Sequence, residues 1–167
     1  ADATFLRADL AVQAEVRACA AELRARHPAI HVLVNNAGAV FDRRDETVDG
    51  IERTLALNHL AYVLLTQELL APLRAAGAAT GDARVVNVAS DAHRAAPATL
   101  PDDDLQLRRG WSQVKAYNLS KLWNVMFTYA LARRLAGSGV TANALHPGVI
   151  ASDFGRGQGG GFGILFA

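Results

Sequence analysis

Ile30-His31-Val32-Leu33-Val34 runs directly into Asn35-Asn36-Ala37-Gly38. The first five residues are short, mostly apolar and rich in β-branching, the composition of a strand buried on both faces, and the next four read as a polar turn. Buried strands of this kind belong to parallel sheets covered by helices, so the flanks should show helical periodicity. They do. Upstream, apolar residues recur at helical spacing from Ala11 to Arg26, and Pro28 ends the pattern. Before that helix, Thr4-Phe5-Leu6-Arg7-Ala8 has strand composition. Downstream, the spacing predicts a long helix from about Val48 to Ala76, a buried strand over Arg84 to Ala89, a helix over Lys115 to Leu135, and a strand over Val140 to Leu145 after Gly137-Ser138-Gly139. Strands alternating with helices imply an α/β fold with a parallel sheet and right-handed crossovers. In such sheets ligands bind beyond the carboxyl ends of the strands, which directs attention to the residues just after Ala8, Val34, Ala89 and Leu145.

Composition narrows the function classes. The 167 residues are 51% hydrophobic and 20% charged, an ordinary globular balance for one domain with no internal repeat or linker. Lys plus Arg number 17 against 16 for Asp plus Glu, a net charge of +1, so nothing electrostatic argues for nucleic acid or an anionic membrane surface. No apolar run approaches the roughly 18–20 residues of a membrane span. The lone Cys19 falls among Val12, Val16, Ala20 and Leu23 at helical spacing and is expected to be a buried structural thiol in a reducing, cytoplasmic setting. His27, His31, His59, His93 and His146 have no ligand-like neighbours in sequence, and no metal site is expected.

Tyr117 and Lys121 lie four residues apart on a predicted helix, on one face and one turn from each other. A tyrosine of pKa about 10 is a poor base at neutral pH; a nearby ammonium stabilises the phenolate and brings the group toward the working range. Only Lys115 and Lys121 among the 17 basic residues are lysines, so a lysine at 121 suggests that a compact point charge was wanted there. A solvent-facing lysine on an ordinary helix is the alternative.

Taken in order, Asn35-Asn36-Ala37-Gly38, Asn58, Ser90, Tyr117-x-x-x-Lys121 and Pro147-Gly148 resemble the short-chain dehydrogenase/reductase family over nearly the whole chain. The stretches Asn58 to Thr66, Arg84 to His93 and Ser120 to Val125 look like its retinol-dehydrogenase-like branch, which includes the WW-domain oxidoreductase. Two departures stand out: Ala61-Tyr62 where that branch more often has Gly-His, and Ala89 where it has a second serine. The resemblance implies a Rossmann-like doubly wound sheet and an NAD(P)-dependent interconversion of an alcohol and a carbonyl. Tyr117 would be the general acid/base, and Lys121 would lower its pKa and hold the nicotinamide ribose. Ser90 would bond the substrate oxygen, and Asn58 would anchor a water of the proton relay. The local alternatives are a turn-forming serine and an exposed helix asparagine.

For the cofactor, NAD or NADP, the resemblance points to Asp9 and Leu10 on the adenine side and to Asn36, Ala37 and Gly38 at the adenosine ribose. It also points to Pro147, Gly148, Ile150 and Ser152 beside the nicotinamide, with Tyr117 and Lys121. A helix cap is the rival role for Asp9. Gly155-Arg156-Gly157-Gln158-Gly159-Gly160 matches Gly-x-Gly-x-x-Gly, but it follows the catalytic residues instead of opening a βαβ unit, so it is read as a substrate-side loop. Residues 1–167 are accordingly expected to form one partial domain carrying the catalytic half. The glycine-rich phosphate loop and first two strands would lie before Ala1, and the last strand after Ala167. In the order 3-2-1-4-5-6, the neighbours joining the Thr4 strand to the Ile30 strand are then missing, and the fragment alone should be inactive. Asp91 to Ala116, with Pro97, Pro101 and Asp102-Asp103-Asp104, would wall the substrate site, a lipophilic alcohol or carbonyl being the branch's implication. A homo-oligomer and a non-catalytic scaffold both stay open; the four intact catalytic residues weigh against the latter.

Overall fold

The computed structural model describes residues 3–148. Ile150, Ser152 and the glycine-rich stretch over 155–160 lie outside the described residues. The elements are α1 (Gln13–Arg26), β1 (Val32–Asn35), α2 (Arg53–Leu55), a π-helical turn (Ala56–Leu60), α3 (Ala61–Glu68), α4 (Leu70–Thr80), β2 (Ala83–Val88), a 3-10 turn (Asp91–Ala95), α5 (Gln113–Arg134) and β3 (Val140–Leu145). The three strands form one parallel sheet in the order β1-β2-β3, with Val34 beside Val86 beside Asn143. The expected α/β architecture is present as part of a Rossmann-like sheet.

The main core lies on one face of that sheet. Leu33, Ala83, Val85 and Val140 pack there against Leu69, Leu73 and Ala76 of the α3–α4 region and Leu131 and Leu135 around the end of α5. Alternate residues point the other way, and Val32 and Val34 are 55% and 56% exposed. Among the described residues, then, only one face of a sheet type that is normally covered on both is buried.

Three expectations need correction. Thr4 to Ala8 is not a strand: a ladder requires a neighbour, none of these residues joins the sheet, and Phe5 is exposed. The helix expected from Val48 to Ala76 is broken twice. Thr47 to Ile51 forms a turn through Gly50, whose φ of 70° is left-handed, and the helix starts only after Glu52, whose carboxylate caps the amides of Thr54 and Leu55. Further on, Pro72 has no N–H for the carbonyl of Glu68, so α3 ends at Glu68; Arg24 Nη1 takes that carbonyl at 2.8 Å. Finally, Cys19 is only half-buried; desolvation and then Glu22 push its thiol pKa up, which disfavours the reactive thiolate.

Glycines set one close approach. A Cβ on Gly77 of α4 would lie 2.8 Å from the backbone of Ser138 and Gly139, so the helix rests directly on the turn entering β3. No helix among the described residues is long and apolar enough to cross a membrane.

Candidate active site

Helix α5 begins at Ser112, whose hydroxyl accepts from the Lys115 amide at 3.2 Å. Its buried stripe is polar: Tyr117, Ser120, Lys121, Asn124 and Thr128 recur at helical spacing, all at most 6% exposed. Buried polar groups need partners, and Lys121 and Thr128 find theirs near the carboxyl end of β2, at Val88 and Asn87, whereas Asn124 and Ser120 bond the segment around Asn58.

Ser90 stands two residues past β2. It caps the 3-10 turn by accepting from the Ala92 amide at 3.2 Å, and it also makes a side-chain hydrogen bond to Tyr117. The turn-forming and functional readings of Ser90 are therefore compatible. His93 Nδ1 lies 2.6 Å from the Ser90 carbonyl, so that nitrogen carries the hydrogen and fixes the turn. The Tyr117 ring packs against Val40 and Ala92.

Lys121 is 3% exposed, and its Nζ donates to the Val88 carbonyl at 3.0 Å and lies 5.6 Å from the Tyr117 ring centroid. Burial lowers its pKa from the ordinary 10.5 to about 8. Burial pushes the Tyr117 phenol up, and the opposing pull comes from the Ser90 hydrogen bond.

Asn58 is fully buried, which rules out the exposed-helix alternative. Its Oδ1 accepts from the Ala39 amide at 2.9 Å; its Nδ2 donates to the Ala39 carbonyl at 2.9 Å and to Ser120 Oγ at 3.3 Å. One amide thus ties the loop after β1 to α5. A Cβ on Gly38 would meet Asn58 Oδ1 at 3.3 Å and Lys121 Nζ at 3.7 Å, so this glycine is where the turn meets the cluster. Tyr62, the unusual residue of the Ala61-Tyr62 pair, donates its hydroxyl to the Ala37 carbonyl at 3.0 Å.

The other sequence-derived positions divide. Ala37 and Gly38 are part-buried beside the cluster, whereas Asn36 is exposed; Asn35 is the residue that supports the sheet, donating to Thr66 Oγ1 at 3.0 Å and to Asn87 Oδ1 at 2.8 Å. Asp9 is exposed and makes a local turn, accepting from the Ala11 amide at 2.9 Å, while the first α1 amide, that of Gln13, is taken by Asp49. Leu10 is half-buried next to it. Pro147 and Gly148 are exposed just past β3, in the position relative to the sheet end that the sequence implied.

Sequence reasoning missed the buried ladder beneath the site: Thr66, Asn35, Asn87 and Thr128 are linked in series, and Thr128 Oγ1 donates to the Asn124 carbonyl. Asn124 and Thr128 follow Tyr117 at seven and eleven residues, so face periodicity alone could have flagged them. The acidic run Asp102-Asp103-Asp104 borders a cavity of about 810 Å³ with His59 and Trp123, but Ser90, Tyr117 and Lys121 do not line it. Among the described residues, no group of three or more His, Cys, Asp or Glu side chains is placed to hold a metal ion.

Residues 1–101 match the model of the short chain dehydrogenase family. The chain belongs to that family. Human retinol dehydrogenase 12 is 43% identical over 148 residues, and human polyprenol dehydrogenase 42% over 151, each alignment covering 89% of this chain and 45% of the relative. The chain therefore spans about 45% of the length of these family members. Among solved structures, the Pseudomonas aeruginosa RhlG/NADP active-site complex superposes with a TM-score of 0.69 at 29% identity, covering 90% of this chain and 55% of that one.

Proposed function

We propose that this chain supplies the acid/base half of an NAD(P)-dependent oxidoreductase that interconverts a lipophilic alcohol and its carbonyl. The observation that carries the reading is the convergence of Ser90 and Lys121 on Tyr117, with the phenol bonded to Ser90 and the buried ammonium beside its ring.

The residues suit a nicotinamide nucleotide. Lys121 spends one of its three N–H donors on Val88, which leaves donors for vicinal ribose hydroxyls, and Gly38 keeps the turn free of a side chain where it meets Asn58 and Lys121. When bound, NAD or NADP supplies or accepts the hydride. In the carbonyl-to-alcohol direction, Tyr117 gives its phenolic proton to the carbonyl oxygen, and Ser90 donates a hydrogen bond to that oxygen as negative charge develops. In the reverse direction Tyr117 takes the alcohol proton. Lys121 would hold the ribose hydroxyls of the bound nucleotide, and its charge beside the Tyr117 ring favours the phenolate transiently formed. Asn58 holds the loop after β1 against α5, so the relay behind Tyr117 keeps its shape.

A lipophilic substrate is supported by the relatives named for retinol and polyprenol, and the cofactor by the NADP-bound RhlG structure. The 167 residues alone are inferred to be inactive, since they span about 45% of the retinol and polyprenol dehydrogenases they match. Turnover of NADH or NADPH by the isolated chain would refute that part. For the main reading, the full-length gene product should oxidise retinol or a long-chain prenol with NAD or NADP. Failure to bind either reduced cofactor in a fluorescence titration would refute it.

A further inference from the structure

The π-helical turn Ala56–Leu60 interrupts an otherwise α-helical run, and the Asn58 implicated in proton relay sits at its centre. π turns of this kind widen the hydrogen-bond ladder and commonly mark functional positions. Here the ladder closes from the Ala61 amide to the Ala56 carbonyl, five residues apart. A turn of that geometry needs outside support, and one side chain provides it. Asn124 of α5, itself fully buried, donates Nδ2 to the Asn58 carbonyl at 2.8 Å, while its Oδ1 lies 2.9 Å from His59 Nδ1.

The chemistry fixes the orientation of both groups. A carbonyl can only accept, so Asn124 must present Nδ2 to Asn58; its Oδ1 is then the acceptor, and His59 must carry its hydrogen on Nδ1. Burial lowers the His59 pKa, which keeps the ring neutral. The ring is braced by Trp123, with centroids 5.8 Å apart, and by Phe127 at 6.3 Å. Asn124 is held in turn through its backbone carbonyl by Thr128. Asn124 thus grips two consecutive residues of the π turn, Asn58 by its carbonyl and His59 by its ring, on the same helix that carries Tyr117 and Lys121.

We propose that His59 and Asn124 are positioning residues for proton transfer: as a pair they set the π turn against α5, and so fix Asn58 relative to Tyr117 and Lys121. The proposal deepens the oxidoreductase reading and rests on it. Neither side chain is needed to touch substrate or cofactor. Loosening the clamp should leave cofactor affinity and KM nearly unchanged and slow the proton-transfer step.

The test uses the full-length gene product and four variants. Tyr117→Phe checks the underlying reading. His59→Phe keeps the aromatic packing but removes the Nδ1 donor, whereas His59→Asn places an amide N–H near the Nδ1 position. Asn124→Leu removes the clamp outright; because it empties a buried polar site and can fail to fold, the His59 pair decides the matter alone. For His59→Phe, kcat should fall about tenfold, less than the usual loss on removing a whole acid/base group. Its D2O solvent isotope effect on kcat should rise, with cofactor Kd within about twofold of the parent, and His59→Asn should recover most of the rate. A His59→Phe enzyme with unchanged kcat, or one that is slower without any rise in the solvent isotope effect, overturns the proposal. Equal losses in His59→Phe and His59→Asn overturn it too. Parental turnover by Tyr117→Phe would bring down the underlying reading and the clamp together, and so is distinguishable from failure of the clamp alone.

Discussion

Replacing Lys121 with methionine should make the folded protein more stable while removing its activity. The lysine is 3% exposed, and burial holds its pKa near 8 instead of 10.5. At about 1.4 kcal/mol per tenfold change in an equilibrium, that depression corresponds to roughly 3 kcal/mol held against the folded state while the amine is charged. The sign follows from linkage. With the folded pKa below the unfolded one, the unfolded chain binds the proton more tightly between about pH 8 and 10.5; stability therefore rises with pH across that window, and the full penalty is present below pH 8. Methionine has a similar length and no charge. It forfeits the bond from Nζ to the Val88 carbonyl, worth about 1–2 kcal/mol for a charged donor, so the net gain at pH 7 should be about 1–2 kcal/mol. Urea titrations of the cofactor-free full-length protein at pH 7 and pH 10 provide the assay. The variant should be the more stable at pH 7 and lose its advantage by pH 10, while the same change at Lys115 moves stability by no more than about 0.5 kcal/mol. A methionine variant that is less stable at pH 7, or whose advantage does not change with pH, would refute the reasoning. A buried charge that costs stability and is retained is understandable if the reaction needs it.

Other consequences are equally specific. Gly38→Ala places a Cβ 3.3 Å from Asn58 Oδ1 and should lower kcat about tenfold through displacement of Asn58, measured beside an unchanged far-ultraviolet circular dichroism spectrum. Asn87→Leu leaves Asn35 and Thr128 without a shared partner; loss of buried hydrogen bonds should cost about 2–4 kcal/mol in urea unfolding, and a cost under about 0.5 kcal/mol would show that the ladder is not held as described. Gly77→Ala forces α4 off the turn before β3 and should destabilise by about 1–3 kcal/mol, despite alanine's better helix propensity; a gain in melting temperature would contradict that close approach.

Much of the fold was legible because periodicity reports burial directly. The apolar spacing in Gln13–Arg26 and Gln113–Arg134, and the short β-branched and apolar stretches of the three strands, place those elements to within about two residues. Where reading failed, a local signal lost to an averaged pattern: Pro72 and Asp49-Gly50 were both visible, yet the surrounding alanines and leucines carried the helix through them. Thr4 to Ala8 shows the opposite limit, since strand composition cannot supply a partner. At the site, Tyr117, Lys121, Ser90 and Asn58 could be named because four residues in a known order are specific together. Their environment could not. That Ser90 bonds the Tyr117 phenol, that Tyr62 reaches the Ala37 carbonyl, and that Asn124 joins Asn58 to His59 depend on directions in space that spacing along the chain does not encode.

The central claim, that Tyr117 is the acid/base of a nicotinamide-dependent alcohol–carbonyl interconversion, is most directly tested with Tyr117→Phe in the full-length gene product. The phenyl ring keeps the packing on Val40 and Ala92 and loses only the hydroxyl. NADH or NADPH should bind as to the parent, while turnover of retinol or a long-chain prenol falls by about 10²–10⁴, the range for loss of a general acid/base. Turnover at the parental rate, with cofactor binding intact, would contradict the account.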